Sequence, residues 1–395
     1  MTQRTGAYLH PWDLEWLSSL GGTAALRDMG CTDLAFPAAY HAGRWTTPVG
    51  KDGLVRFLED GVVYFRPGKG YGGLRPQPAA TVPATGSTPL ADCIAAAREN
   101  GLEAHAWTVL FHNSRLGRAH PSSCAHNALG DAYEYSLCPA RPEVQEYGLQ
   151  LVRETAAHPG LDVVELEALG FMGYRHGSHH DKTSFRLDRY LDFLLSFCFC
   201  EHCCAGLAEQ GVDGAVLGAD IARMLRRELV DADAMAPAGR SDAESGDQLR
   251  EVLGESRFSA MLRHRVATYG NLLTRMRGVL PDGVRLSVHL ALDPLHSGSQ
   301  IAMPLEAARS LVDEVVVTHY GQSPAAMVEC WKGLSAAGLR TRLAIWPKAP
   351  EFSSDADLAA VANLVDEAGL DGVRIYHLGL LPWKTTERVF AALGG

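Results

Sequence analysis

The chain has 395 residues, 47% of them hydrophobic, enough to bury one large core or two smaller ones. A formal net charge of -10 offers no field to draw in nucleic acid or an anionic membrane, so neither is expected as a partner and a small neutral ligand is favoured. No stretch reaches the ~20 apolar residues of a membrane span, no leader-like run opens the chain, and nine cysteines, an odd number, suit a reducing compartment, so a cytoplasmic protein is expected.

A repeat of pattern runs along the chain: β-rich runs ending in polar or aromatic residues, each followed by a helical stretch. The first four are GAYLHPW (6–12), CTDLAFPAAYH (31–41), LEAHAWTVLFHN (102–113) and LDVVELEALGF (161–171). VRLSVHLALD (284–293), EVVVTHYG (314–321), RTRLAIWP (340–347) and GVRIYHLGL (372–380) complete the set. Near-continuous apolar strands separated by helices predict a parallel sheet, and eight such units predict an α/β fold: a single (β/α)8 TIM barrel spanning residues 1–395. Helix starts are marked by Thr88-Pro89 and by Pro142, and further helices are expected within 353–370 and from Trp383 onward. Long insertions follow strand 2 (42–88) and strand 4 (about 172–283). The second reads as mostly helical, broken by an irregular polar stretch at 231–247; a separate helical subdomain at about 186–260 is the alternative.

Strand alternation turns Glu165 and Glu167 to one face of the fourth run, the barrel interior. Carboxylates among apolar neighbours are costly unless paired or protonated, which is how a carboxyl pKa is raised for general-acid work. Glu167, nearer the mouth, is the expected proton donor and Glu165 the deeper orienter; a salt bridge to a neighbouring strand is the bland reading of Glu165. On the fifth run His289, Ala291 and Asp293 share a face, so that either Glu165 or Asp293 is the candidate nucleophile or base, with a loop cap at Asp-Pro as the other reading of Asp293.

Histidines recur at strand ends: His10, His41, His112, His289, His319 and His377. A ring of them, with Asn113 beside His112, suits hydrogen bonding to sugar hydroxyls or, alternatively, a metal. Trp12, Tyr320, Trp346 and Tyr376 can stack on sugar faces, whereas Trp107 reads as core. The loop GFMGYRHGSHHDK adds His179 and His180, and YHAGRWTTP adds Arg44. In CFCEHCC the spacing of Cys198, Cys200 and Cys203 brings three thiolates to one ion, with Cys138 as fourth ligand of a closed, structural zinc site. His202 or Cys204 could complete the set instead, and inert buried thiols are the plain alternative. No G-x-G-x-x-G opens a strand-helix unit and no Walker A or G-x-S-x-G sequence occurs, so no nucleotide cofactor and no serine hydrolysis are expected.

On SLCPARPEV, VVELEALGF with its HGSHHDK loop, and CFCEHC, the chain resembles a family of TIM-barrel hypothetical glycoside hydrolases over most of residues 6–380. Its C-x-C-x2-C with an upstream cysteine is similar to the structural zinc site of the family 42 β-galactosidases. That second likeness covers little beyond the cysteines and the barrel. The resemblance implies an acid/base at Glu165 or Glu167. The family 42 enzymes carry their nucleophile on strand 7, where this chain reads RTRLAIWPKAP with no carboxylate before Glu351, so their mechanism does not transfer whole. The expected function is a carbohydrate-active enzyme, a glycoside hydrolase acting on a small glycoside, with a homo-oligomer left open. The alternatives are a metal-dependent sugar isomerase or epimerase, or a barrel that binds saccharide without cleaving it.

Overall fold

Eight parallel strands close on themselves around one axis. They are β1 (Arg4–Tyr8), β2 (Cys31–Tyr40), β3 (Glu103–Val109), β4 (Val163–Glu167), β5 (Arg285–Ala291), β6 (Glu314–Thr318), β7 (Arg340–Ile345) and β8 (Gly372–Ile375). Each pairs with the next in parallel register, and β1 pairs with both β2 and β8, which closes the barrel. The computed structural model describes residues 3–49, 54–176, 182–183, 187–230, 240–334 and 338–394. Among these, no single helix is long and apolar enough to cross a membrane.

The strands form where β-branched and other apolar residues can bury both faces, the barrel interior and the helix layer. They stop short of the runs read from sequence. β5 ends at Ala291 and β8 at Ile375, after which Leu378–Leu380 turn as a 3-10 helix. Asp293, which closes the fifth run, and Tyr376 and His377 in the eighth therefore belong to loops above the strands, while His289 lies within β5. The outer helices start where their caps predict: Pro89–Glu99 behind Thr88, whose side chain accepts from the Ala91 amide, and Pro142–Ala156 and Trp383–Leu393.

After β2 the chain folds an antiparallel hairpin, Gly43–Thr46 with Val55–Leu58. An elaboration that periodicity did not flag follows β3, with a helix at Ser114–Ala119 and a hairpin pairing Cys124–His126 with Ala132–Leu137. After β4 come helices Arg189–Ser196, Glu201–Glu209, Gly214–Val230 and Asp242–Leu253, then the long Glu255–Arg277. The stretch expected to be irregular is thus helical from Asp242, while 231–239 lie outside the described residues. The cause is a capping box: Ser241 Oγ accepts from the Glu244 amide and the Glu244 carboxylate accepts from the Ser241 amide. These helices gather their own apolar cluster around Tyr190, Phe193, Leu217, Ile221 and Phe258, distinct from the barrel core.

Candidate active site at the barrel mouth

The lower barrel interior is charged. Glu165 is fully buried and both its oxygens are taken. Oε1 accepts from Tyr8 at 2.5 Å and lies 2.9 Å from His289 Nε2; Oε2 accepts from Arg374 at 2.9 Å and lies 3.3 Å from His105 Nδ1. Burial alone would raise its pKa, but Arg374, His105 and His289 outweigh it and hold Glu165 well below the usual carboxylate range. The network continues to Asp33, which meets Arg342 at 2.6 Å and Arg374 at 2.8 Å, and to Glu314, 3.2 Å from Arg342. Gly6 makes room for it: a Cβ there would stand 2.2 Å from an Asp33 oxygen. Glu165 is a fixed anion in this network, and His289 belongs to the same group rather than to the mouth.

Glu167 ends β4 one layer higher and is only half-buried. Trp107 Nε1 donates to its Oε2 at 2.6 Å and Ser299 Oγ to its Oε1 at 3.1 Å. Ala168 follows in the left-handed region at φ 55°, an uncommon conformation for a residue with a side chain, and turns the chain sharply just past the carboxylate. Trp107 is buried as read from sequence, but its indole N–H also serves Glu167, a role hydropathy does not reveal. The loop after β5 does reach Glu167, through Ser299. Asp293 lies beyond the end of β5, so strand alternation no longer governs it: its carboxylate accepts from the Leu295 amide at 3.0 Å and pairs with Arg189. It caps the loop and stays half-exposed.

Around Glu167 stands an aromatic wall. Tyr376 is its hub, with ring centroids 4.5 Å from Tyr320, 5.8 Å from Trp346 and 6.1 Å from Trp107, and its hydroxyl 3.4 Å from that of Tyr40. His10 stacks flat on Trp12 at 4.1 Å and lies 5.1 Å from His377. His41 stacks on His112 at 4.1 Å, and His112 Nδ1 meets His176 Nε2 at 3.1 Å. Burial lowers the pKa of His10, His41 and His112 and takes His176 to about 4 and His377 to about 3, so these rings are neutral near pH 7.

Two other expected ligands are engaged elsewhere and a third is exposed on the hairpin. Asn113 caps the helix Ser114–Ala119 by accepting from the Leu116 amide at 3.0 Å. His319 has both nitrogens engaged, by Gln322 at 2.7 Å and Trp331 at 3.0 Å. Arg44 lies on the solvent face of the first hairpin, opposite Phe57. His179 and His180 lie outside the described residues.

Cys138, Cys198, Cys200 and Cys203 converge in a buried cluster whose sulfurs all lie within 4.8 Å of one another. The Cys138 sulfur is 3.7 Å from those of Cys198 and Cys200 and 3.6 Å from that of Cys203. A tetrahedron with 2.3 Å metal–sulfur bonds has an edge of about 3.8 Å, so the set fits a four-coordinate thiophilic ion. A second grouping close enough to hold a metal, His105, Glu165 and Glu314, is already neutralised by Arg342 and Arg374.

No family model matches the chain, and no curated protein matches it in sequence. Solved structures do match in fold, glycoside hydrolases among them. The PgaB (BpsB) glycoside hydrolase domain from Bordetella bronchiseptica aligns at TM-score 0.56 and 12% identity, covering 98% of each chain. A catalytic mutant of Gan42B, a GH42 β-galactosidase from G. stearothermophilus, aligns at TM-score 0.52 and 13% identity over 95% of this chain and 51% of that one. Alpha-L-fucosidase isoenzyme 2 from Paenibacillus thiaminolyticus aligns at TM-score 0.50 and 12% identity over 100% and 49%. The chain spans about half the length of the last two. At such identities the likeness is one of fold, a (β/α)8 barrel.

Proposed function

We propose that this chain is a glycoside hydrolase acting on a small glycoside, with Glu167 as proton donor. The observation that carries the reading is the setting of Glu167: a half-buried carboxylate at the C-terminal end of β4, inside an aromatic wall suited to sugar faces. Its hydrogen bonds accommodate both protonation states. Trp107 can only donate, so it fixes Oε2; the Ser299 hydroxyl can turn from donor to acceptor, so Oε1 can carry the proton that leaves with the aglycone. Asp293, half-exposed on the loop that also delivers Ser299, is the proposed second carboxylate. Glu165 serves as anchor and takes no part in bond breaking.

The four-cysteine cluster is proposed to hold one zinc ion in a structural role, since a closed tetrathiolate leaves no position for substrate or water. An isomerase would need an open metal site, and the carboxylate-histidine grouping that the described residues form near the barrel axis already has two guanidinium counter-ions. A barrel that binds saccharide without cleaving it draws support from β7, which ends without a carboxylate. Nitrophenol release from a panel of α- and β-4-nitrophenyl glycosides separates the two: hydrolysis of at least one, surviving brief chelation, supports the hydrolase, whereas saccharide binding without hydrolysis supports the binding barrel.

A further inference from the structure

Where the first hairpin meets the mouth, polar atoms are buried without protein partners. His10 is fully buried and neither ring nitrogen is hydrogen-bonded; Trp12 Nε1, Arg56 Nε and His377 Nε2 are likewise buried and unpartnered among the described residues. The four side chains form one group. Besides the His10 contacts with Trp12 and His377, the Arg56 guanidinium sits 5.2 Å from the Trp12 ring. Trp45, the cross-strand partner of Arg56, packs edge-on against His10 at 4.6 Å and His377 at 4.7 Å. One orphaned buried donor is costly; several in contact mark a place where something else supplies the acceptors.

The donors define what that is. Trp12 and Arg56 can only donate. His377 Nδ1 accepts from the Gly379 amide at 3.2 Å, which leaves the ring proton on Nε2. Asp13, 3.9 Å from His377 Nδ1, is already engaged by the His10 amide and the Trp16 indole. A sugar hydroxyl must donate as well as accept, and such a lining gives its hydrogen few partners. An oxyanion only accepts, and Arg56 supplies the charge. The geometry points to an anion subsite formed by His10, Trp12, Arg56 and His377, which binds a carboxylate or sulfate substituent of the sugar, so that the substrate is an acidic glycoside. Trp107 links it to the reaction centre: its ring lies 6.2 Å from His10 while its N–H holds Glu167, so a single sugar residue can reach both. The inference rests on the glycoside reading above and replaces the neutral ligand that net charge favours, because selection here is by contact rather than by long-range field.

Calorimetric titration of the full chain at fixed ionic strength, with D-glucuronate, glucose 6-sulfate and D-glucose and then the same three in the galacto series, tests it. At least one acid should bind about tenfold or more tightly than its neutral parent, and which acid does so tells carboxylate from sulfate. Arg56→Gln, on a half-buried hairpin position, and Trp12→Phe, which keeps the stack on His10, should each remove most of that gap. Equal binding of acids and parents in both series, or an acid preference that survives both substitutions, overturns the subsite. A chain that prefers the acids yet cleaves no aryl glycoside would overturn the hydrolase reading and leave the subsite standing; cleavage of neutral glycosides without acid preference would do the reverse.

Discussion

Glu165 and Glu167 sit two residues apart on one strand and face the same interior, yet Glu165 is enclosed by Tyr8, His105, His289 and Arg374 while Glu167, among the described residues, is hydrogen-bonded by Trp107 and Ser299. Glu165 is therefore tied into the charged layer that holds the barrel together, and Glu167 is the carboxylate left for the proposed chemistry. Replacing Glu165 by Gln strips the fully buried Arg374 of one carboxylate partner. Breaking such a pair costs roughly 3–5 kcal/mol, so urea denaturation should show a large loss for Glu165→Gln and little for Glu167→Gln. Equal stability of the two variants would mean that the charged layer is not tied together through Glu165. That the two glutamates share a face was legible from alternation. Their different fates were not, because Tyr8, Asp33, Arg342 and Arg374 come from four other strands whose convergence exists only once the barrel closes.

At the scale of elements, sequence read the strands well and their ends poorly. Alternation continues on paper past Ala291, where the strand has already ended, so Asp293 was assigned by a periodicity that no longer applied, and His377, read as a strand end, lies in the loop beyond Ile375. Asn113 shows the same limit: beside a strand end it resembles a ligand, but it starts a helix. Asn113→Ala should cost about 1 kcal/mol of stability and leave turnover unchanged; a loss of turnover at unchanged stability would return it to the site. The cysteine spacing was legible because its ligands lie close in sequence, and Cys138 brings the loop after β3 to the start of helix Glu201–Glu209. Elemental analysis should find about one zinc per chain, Cys203→Ser should lower that and the melting temperature together, and a metal-free protein of full stability would leave only buried thiols.

For the whole molecule, buried histidines set the response to acid. Burial takes His176, His264 and His296 to about 4 and His377 to about 3. In the unfolded chain each protonates near pH ~6.5, so their contribution is full above that pH and is lost as pH falls toward the folded values. Asp13 opposes them: burial raises it to about 7, so its contribution is full below pH ~4 and lost as pH rises through about 7. Four histidines against one aspartate predict a melting temperature that falls between pH ~6.5 and ~4, and falls further as Glu165 and Asp33 protonate. A flat calorimetric profile across that range would contradict this. The central claim concerns Glu167, and its most direct test is the kcat/KM of Glu167→Gln on whichever aryl glycoside the wild type cleaves. The account predicts a loss of about 10²-fold or more with the fold intact; full activity in that variant would contradict it.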